Sequence, residues 1–185
     1  MKKSLFLFLL VVMTITSLSA QKYFTRSGKI AFSSDTPIEK IEAVNDKATS
    51  VIDLATGHME FAVLIKAFTF EKALMQEHFN ENYMESGKFP KATFKGNVNN
   101  MADVNLKEDG TYPVTVAGEL TIHGVAQEVE TAGVFTVKDG KITSIATFSV
   151  LTQDYDIKIP AVVRDNIAKE ISVMVAVNYE EFKSK

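Results

Sequence analysis

The sequence predicts an all-β fold with short helices, and three observations lead to this prediction. Apolar and polar residues alternate along most of the chain beyond residue 20, as in strands that bury one face. Asp139-Gly140 and Thr56-Gly57 separate such stretches and are read as hairpin turns. The stretch 71–84 has helical spacing instead. About eight antiparallel strands of this kind close into a barrel or stack as a sandwich, and periodicity alone leaves both open.

The first half of the chain supplies four of the predicted strands. They cover residues 30–32, 51–54, 59–65 and 92–98, with the Thr56-Gly57 turn between the second and the third. In the third and fourth strands every second residue falls on one apolar face. Those faces consist of Met59, Phe61, Val63 and Ile65, and of Ala92, Phe94, Gly96 and Val98.

The second half supplies the other four strands, over residues 114–122, 125–137, 142–150 and 171–177. The Asp139-Gly140 turn joins the middle two. Each strand again has one apolar face. The faces consist of Val114, Val116, Gly118, Leu120 and Ile122; of Val125, Val129, Gly133, Phe135 and Val137; of Ile142, Ala146, Phe148 and Val150; and of Ile171, Val173, Val175 and Val177.

The helical stretch carries Leu74, Met75, Phe79 and Tyr83 on one stripe, with the glutamates largely elsewhere. We expect this segment to lie across one end of a barrel and to gate or plug its mouth. A second, shorter helical turn is predicted at residues 163–168, after Pro160 ends an extended stretch.

Residues 1–20 have the three parts of a secretory signal peptide: a cationic start, an apolar run of about ten residues, and small residues at the end. The run is shorter than the roughly 20 residues of a membrane span. We therefore expect cleavage after Ala20 and a periplasmic or secreted mature chain, residues 21–185, with a single domain and no transmembrane span. An uncleaved anchor helix is the alternative.

The composition excludes several classes of function. Lys and Arg number 20 against 23 Asp and Glu, a formal charge of −3, which argues against nucleic-acid binding. The chain has no Cys, so disulfides, thiolate metal sites and cysteine nucleophiles are excluded. The sequence does not indicate a dimer directly, and a homodimer is left open.

The motifs of catalysis and cofactor binding are absent from the sequence. It contains no G-x-S-x-G elbow, no Walker-type loop and no G-x-G-x-x-G. His58, His78 and His123 are far apart, and the carboxylate pairs 128–130 and 154–156 lack the fixed spacing of a calcium loop. We expect no cofactor, no metal site and no catalytic residues, and we interpret the chain as a protein that is not an enzyme.

Three stretches resemble the YceI-like family of exported polyisoprenoid- and lipid-binding proteins. The segment 75–94 is similar to the family's helical segment, aromatic-Pro and strand ending in Phe. The segment 118–125, Gly-Glu-Leu-Thr-Ile-His-Gly-Val, resembles the family signature G-x-L-T-[IL]-[HR]-G-V. The segment 148–157 resembles its late strand and following loop. The resemblance spans most of residues 28–182.

The resemblance implies an extended eight-stranded antiparallel β-barrel, lipocalin-like, with a helical segment across one mouth and a bore that takes a long isoprenoid or fatty chain. Leu120, Ile122 and Phe94 carry over as interior positions, and Gly118 and Gly124 as sites of close strand approach or a tight bend. His123 and Asp154 also match, and we interpret them as hydrogen-bonding residues that fix a strand end or a loop.

These observations lead to the hypothesis of an exported binding protein that holds a long-chain isoprenoid or fatty-acyl lipid for storage or transport. The lipid-binding residues are predicted to be those of the barrel interior and mouth: Phe61, Val63, Ile65, Leu74, Met75, Phe79, Tyr83, Phe94, Leu120, Ile122, Phe135, Phe148 and Val150. The alternatives are a structural or partner-binding envelope protein with a packed barrel and no ligand, and an enzyme that acts on a hydrophobic substrate.

Overall fold

The computed structural model describes residues 22–182, so the predicted signal peptide and its cleavage point after Ala20 lie outside the described residues. The described part of the chain is built mainly from strands. They are β1 (Lys22–Asp35), β2 (Lys40–Asp53), β3 (His58–Leu64), β4 (Thr69–Phe70), β5 (Lys91–Val98), β6 (Gly110–Ile122), β7 (Val125–Lys138), β8 (Lys141–Leu151) and β9 (Glu170–Glu181).

The strands form one antiparallel sheet in the order β1-β9-β8-β7-β6-β5-β3-β2-β4, and a further pairing of β1 with β2 closes it. The result is an eight-stranded antiparallel barrel in which β4, a strand of two residues, extends the wall beside β2. The predicted fold class is confirmed. Closure leaves one inner face, which is why most strands have apolar residues at alternate positions on one side.

One α-helix, α1 (Ala73–His78), continues directly into a π-helical turn, Phe79–Tyr83. Together they make up the predicted helical segment. Short 3-10 turns lie in four places within the longer connections: Ile65–Ala67, Met101–Asp103, Thr152–Tyr155 and Ala161–Val163. The helical turn predicted at 163–168 therefore occurs earlier, because Pro160, with its fixed φ, precedes the turn as its N-cap.

The tight hairpin at residues 139–140 confirms the turn that the sequence predicts there. Asp139 and Gly140 have φ values of 50° and 71°, as a two-residue turn with both central residues in the left-handed region requires. His123 and Gly124 repeat this geometry between β6 and β7, with φ values of 51° and 78°. Gly57, at the turn before β3, has a φ of 77°.

The strands β1 and β2 are much longer than the sequence pattern indicates, and bulges explain the difference. Gly28 pairs with Ala48 but Ile30 pairs with Asn45, so the register shifts between them. Beyond a bulge the inward-facing residues change from odd to even numbers. Alternation is interrupted there, and only the stretch 51–54 of β2 was predicted.

The strand directions define two ends of the barrel. The floor is the end with the connections 54–57, 99–109 and 139–140, and the mouth is the end with 36–39, 65–90, 123–124 and 152–169. The floor is closed by a packed cluster of apolar side chains. Its buried members are Ile52, Leu54, Met59, Val98, Val104, Val114, Phe135, Ile142, Val177 and Tyr179.

Candidate functional site

A cavity of about 400 Å³ lies between the packed floor and the mouth. This volume is in the range of small-molecule sites, about 300–1,000 Å³. Inner faces of the barrel strands form its wall, and two segments at the mouth cover it. The bore is therefore filled with side chains at the floor and hollow beneath the mouth.

The structure brings nearly all of the predicted lipid-binding side chains to this cavity. Those that line it are Phe61, Val63, Ile65, Met75, Phe79, Tyr83, Phe94, Leu120, Ile122, Phe135, Phe148 and Val150. Their contact with a lipid stays a prediction. Those in strands reach the cavity because alternate residues face inward, and Ile65, Met75, Phe79 and Tyr83 reach it from the connection between β3 and β5.

Leu74 is the exception, since it does not line the cavity and is 61% exposed. Its neighbour Met75 faces the cavity, and one residue along a helix turns the side chain by about 100°. The helix phase therefore points Met75, Phe79 and Tyr83 inward and Leu74 outward. The assignment of Leu74 to the inner stripe was wrong.

The first covering segment consists of α1 and the π-helical turn. Phe79 packs among Phe32, Phe68 and Phe70, with ring centroids 5.4, 5.7 and 5.0 Å away. Aromatic groups at these separations attract each other beyond simple burial. Since Phe32 belongs to β1, this aromatic cluster fixes the segment to the barrel wall.

The second covering segment, residues 152–169, was not predicted as part of the site. Ile157, Ile159, Val163 and Ile167 from this segment line the cavity. The signal was present in the sequence as the alternating Ile157-Lys158-Ile159 before Pro160. This stretch does not pair as a strand, so a period-two pattern here marks a covering loop with one apolar side.

His123 joins the two covering segments at the mouth. Its ring is 9% exposed, and its Nδ1 donates to the backbone oxygen of Tyr155 at 3.1 Å. Its Nε2 lies 3.0 Å from Oε2 of Glu85, which follows the π-helical turn. The interpretation of His123 as a hydrogen-bonding residue that fixes a loop is confirmed.

The glycine after His123 has a packing role. Gly124 has a positive φ, and a Cβ at this position would lie 2.5 Å from Cε1 of Phe89. The ring of Phe89 also contacts that of His123, with centroids 4.5 Å apart. Asp154 acts through its backbone, because its carbonyl oxygen accepts a hydrogen bond from Nε2 of Gln127 at 2.8 Å.

Gly118 confirms the other backbone role. It pairs with Gly96 across β5 and β6, and a Cβ on either glycine would meet the backbone of the opposite strand. The two glycines let these strands approach closely on the inner face.

The cavity offers little charge to a ligand. No Lys or Arg lines it within residues 22–182, and Glu39 and His78 are its only lining carboxylate and imidazole there. Burial raises the pKa of both Tyr83 and Tyr155, so these lining phenols are neutral at physiological pH. No group of three or more metal-ligating side chains occurs in the described part of the chain.

A closed antiparallel barrel with an apolar cavity of this size defines the class of barrel-type binding proteins. The family model for the YceI-like domain matches residues 14–179. The chain therefore belongs to the YceI-like family. No curated protein sequence matches it. None of the helices within residues 22–182 is long and apolar enough to cross a membrane.

Solved structures have the same fold at low sequence identity. A polyisoprenoid binding domain from Saccharophagus degradans, implicated in plant cell wall breakdown, aligns with a TM-score of 0.77 at 15% identity, covering 88% of this chain and 99% of that one. BcnA from Burkholderia cenocepacia aligns at 0.68 and 14%, covering 83% and 96%. A YceI protein from Campylobacter jejuni aligns at 0.57 and 16%, covering 77% and 85%.

Proposed function

We propose that this protein is an exported carrier that holds one long-chain amphiphilic lipid, an isoprenoid or a fatty-acyl chain, in the barrel cavity for storage or transport. The observation that carries the proposal is the apolar cavity of about 400 Å³ between a packed floor and two covering segments. The Saccharophagus degradans domain, described as polyisoprenoid-binding, supports the same ligand class.

The apolar wall is sufficient to bind a hydrocarbon tail without a specific polar anchor. Burial of each methylene stabilises the complex by roughly 0.8 kcal/mol, so affinity grows with the length of chain enclosed. Because branched isoprenoid and linear acyl chains both consist of such groups, the wall favours length over one exact structure. Met75 and Met84 in the cover have flexible thioether side chains that adapt to either.

Export is part of the proposal and rests on the sequence of residues 1–20. Cleavage after Ala20 would give a mature chain that starts at Gln21 in the periplasm or outside the cell. N-terminal sequencing of the protein from a periplasmic or secreted fraction tests this. A chain that retains Met1 in a membrane fraction would instead support the anchor helix.

A matched pair of variants tests lipid binding in the cavity. Val116→Phe adds a ring to a residue that lines the cavity, and Ala117→Phe adds the same ring to the next residue, which faces outward on β6. With delipidated protein, we expect Val116→Phe to weaken binding of farnesol and hexadecanol at least about tenfold, while Ala117→Phe binds like the wild type. Circular dichroism checks that both variants fold.

The same titration separates the alternatives. Equal binding by both variants would place the lipid outside the cavity, and no binding by the wild type would favour the structural or partner-binding role. An enzyme would alter the bound molecule, which mass spectrometry of the recovered lipid detects as a change in mass.

A further inference from the structure

The barrel wall has an interrupted seam between β7 and β8. Their pairing runs from Lys138 opposite Lys141 to Gly133 opposite Ala146 and stops there. Beyond this point residues 125–132 pair with β6 alone, and residues 147–151 pair with β9 alone. We call the space between these two stretches the β7–β8 gap. At about 3.3 Å per residue, the five residues of β8 without a β7 partner extend roughly 17 Å along the edge of the gap.

The cavity reaches the β7–β8 gap. Inward-facing residues on both of its edges, including Thr131 and Phe148, line the cavity. Val134 and Ile145, which pair next to the point where the ladder stops, line it as well. These two face outward and are 37% and 57% exposed, so the cavity extends to the outer surface of the wall here.

The mouth is held more firmly than the gap. Two hydrogen bonds tie the second covering segment to the barrel rim: the backbone N–H of Ala168 donates to Oγ of Ser34 at 2.8 Å, and Nδ2 of Asn166 donates to Oε2 of Glu39 at 3.1 Å. The two contacts of His123 link both covering segments to the turn between β6 and β7. Across the gap the side chains of the described residues make one hydrogen bond, from Oγ1 of Thr131 to the carbonyl of Thr147 at 3.4 Å, and at the mouth end of the gap Nε2 of Gln127 donates to the backbone oxygen of Asp154 at 2.8 Å. Passage through the gap therefore disrupts fewer contacts.

The outer surface beside the gap is acidic. Glu128 and Glu130 on β7 are exposed, and Glu119 on β6 lies directly opposite Glu128. Asp154, in the turn that reaches Gln127, adds a further exposed carboxylate. An anionic headgroup in the gap would face these carboxylates and, as described above, would find no lining cation.

An uncharged polar headgroup fits this environment. The edges of β7 and β8 present backbone N–H and C=O groups that have no partner strand, and Thr131 adds a hydroxyl. A hydroxyl, carbonyl or amide can exchange hydrogen bonds with such groups without bringing a charge into the gap.

We propose that the β7–β8 gap is the portal through which the cargo enters the cavity, and that the polar end of the cargo stays in this gap and is uncharged. This inference rests on the proposed function and narrows its ligand class to lipids with a neutral head, such as alcohols, quinones or amides.

Cross-linking across the gap tests the portal. The sequence has no cysteine, so the double substitution Glu130→Cys with Ser149→Cys introduces one outward-facing pair of thiols, one on the β7 edge and one on the β8 edge of the gap. The control pair, Thr136→Cys with Thr143→Cys, lies opposite each other within the intact ladder. Both are joined by a short, cleavable bifunctional thiol reagent.

With delipidated protein and the fluorescent probe N-phenyl-1-naphthylamine, we expect the cross-linked gap to load at least about tenfold more slowly than the control pair, and cleavage of the reagent to restore the rate. Unchanged loading with the gap cross-linked would place entry at the mouth and overturn the portal. A wild-type protein that binds no probe and no lipid would instead overturn the proposed function.

Matched ligands test the neutral head. Hexadecanol and hexadecyl phosphate share a tail, as do farnesol and farnesyl phosphate, and we expect each alcohol to bind at least about tenfold more tightly at neutral pH. Glu128→Lys with Glu130→Lys should narrow this ratio, whereas Glu180→Lys with Glu181→Lys, at the floor end of β9, should leave it unchanged. Phosphates that bind as tightly as the alcohols to the wild type would overturn the neutral head while leaving the carrier function intact.

Discussion

The buried hydroxyl of Tyr179 should make the free energy of unfolding fall at alkaline pH. Tyr179 lies in the floor cluster with 5% of its surface exposed, and its hydroxyl is 3.2 Å from Oγ of Ser50. Burial raises the pKa of Tyr179 to about 12, although hydrogen bonds from Ser50 and Ser144 act in the opposite direction. The phenolate form has no counter-charge there and is the form that burial disfavours.

The sign and size of the effect follow from this pKa. In the unfolded chain a tyrosine loses its proton near pH 10, whereas folded Tyr179 keeps it until about pH 12. The contribution of Tyr179 is fully present below pH 10 and is lost as the pH rises through 12. Each pKa unit corresponds to about 1.4 kcal/mol, so the free energy of unfolding should fall by about 3 kcal/mol in all, of which about 2 kcal/mol is lost by about pH 12.

Guanidinium unfolding followed by circular dichroism, from about pH 8 to about pH 12, measures this loss, with Tyr179→Phe as the control. The control keeps the ring against Phe135 but lacks the ionisable group, and its unpaired Ser50 lowers stability by about 1–3 kcal/mol at every pH. The difference in the free energy of unfolding between the two proteins should therefore change by about 2 kcal/mol between about pH 10 and about pH 12. A constant difference would refute the reasoning, because it would mean that the hydroxyl reaches water.

Three further substitutions test the packing and the mouth. Phe135→Ala removes a ring that is 1% exposed in the floor cluster. In denaturant titrations it should lower the free energy of unfolding by about 3–5 kcal/mol, and a loss below about 1 kcal/mol would contradict a packed floor. Gly118→Ala places a methyl group against the backbone of β5 and should cost about 1–3 kcal/mol, whereas Gly87→Ala, where the Cβ meets nothing, should be close to neutral by the same assay. His123→Asn keeps a residue that tolerates the positive φ but loses the contact with Glu85, so amide hydrogen exchange at residues 79–89 should become faster. Unchanged protection of these amides would show that the contact does not hold the first covering segment in place.

Local chemistry made much of the wall predictable. The strands from 114 to 150 keep one parity of inward-facing residues along each strand, most of them apolar, and the Asp-Gly turn between β7 and β8 requires residues that tolerate positive φ. In β1 and β2 the bulges reverse the parity of the inner face, and Gly28 at the shift in β1 is the residue that could have indicated it. The alternation signal therefore failed for most of β2.

The site was predictable in its wall but less so in its cover. Inner-face residues such as Phe94 and Leu120 follow from alternation once the sheet closes. Leu74 was misplaced because a helix of six residues is too short to fix its phase from the sequence. An open bore beside a packed floor depends on how side-chain volumes fill the space between strands, which composition and periodicity do not determine.

The most direct test of the carrier function is native mass spectrometry of the protein purified from its own envelope, followed by denaturing extraction. We expect one hydrocarbon-rich, neutral-headed lipid per chain, released only when the barrel unfolds. A mass equal to that of the polypeptide alone, unchanged after exposure to farnesol and hexadecanol, would contradict it.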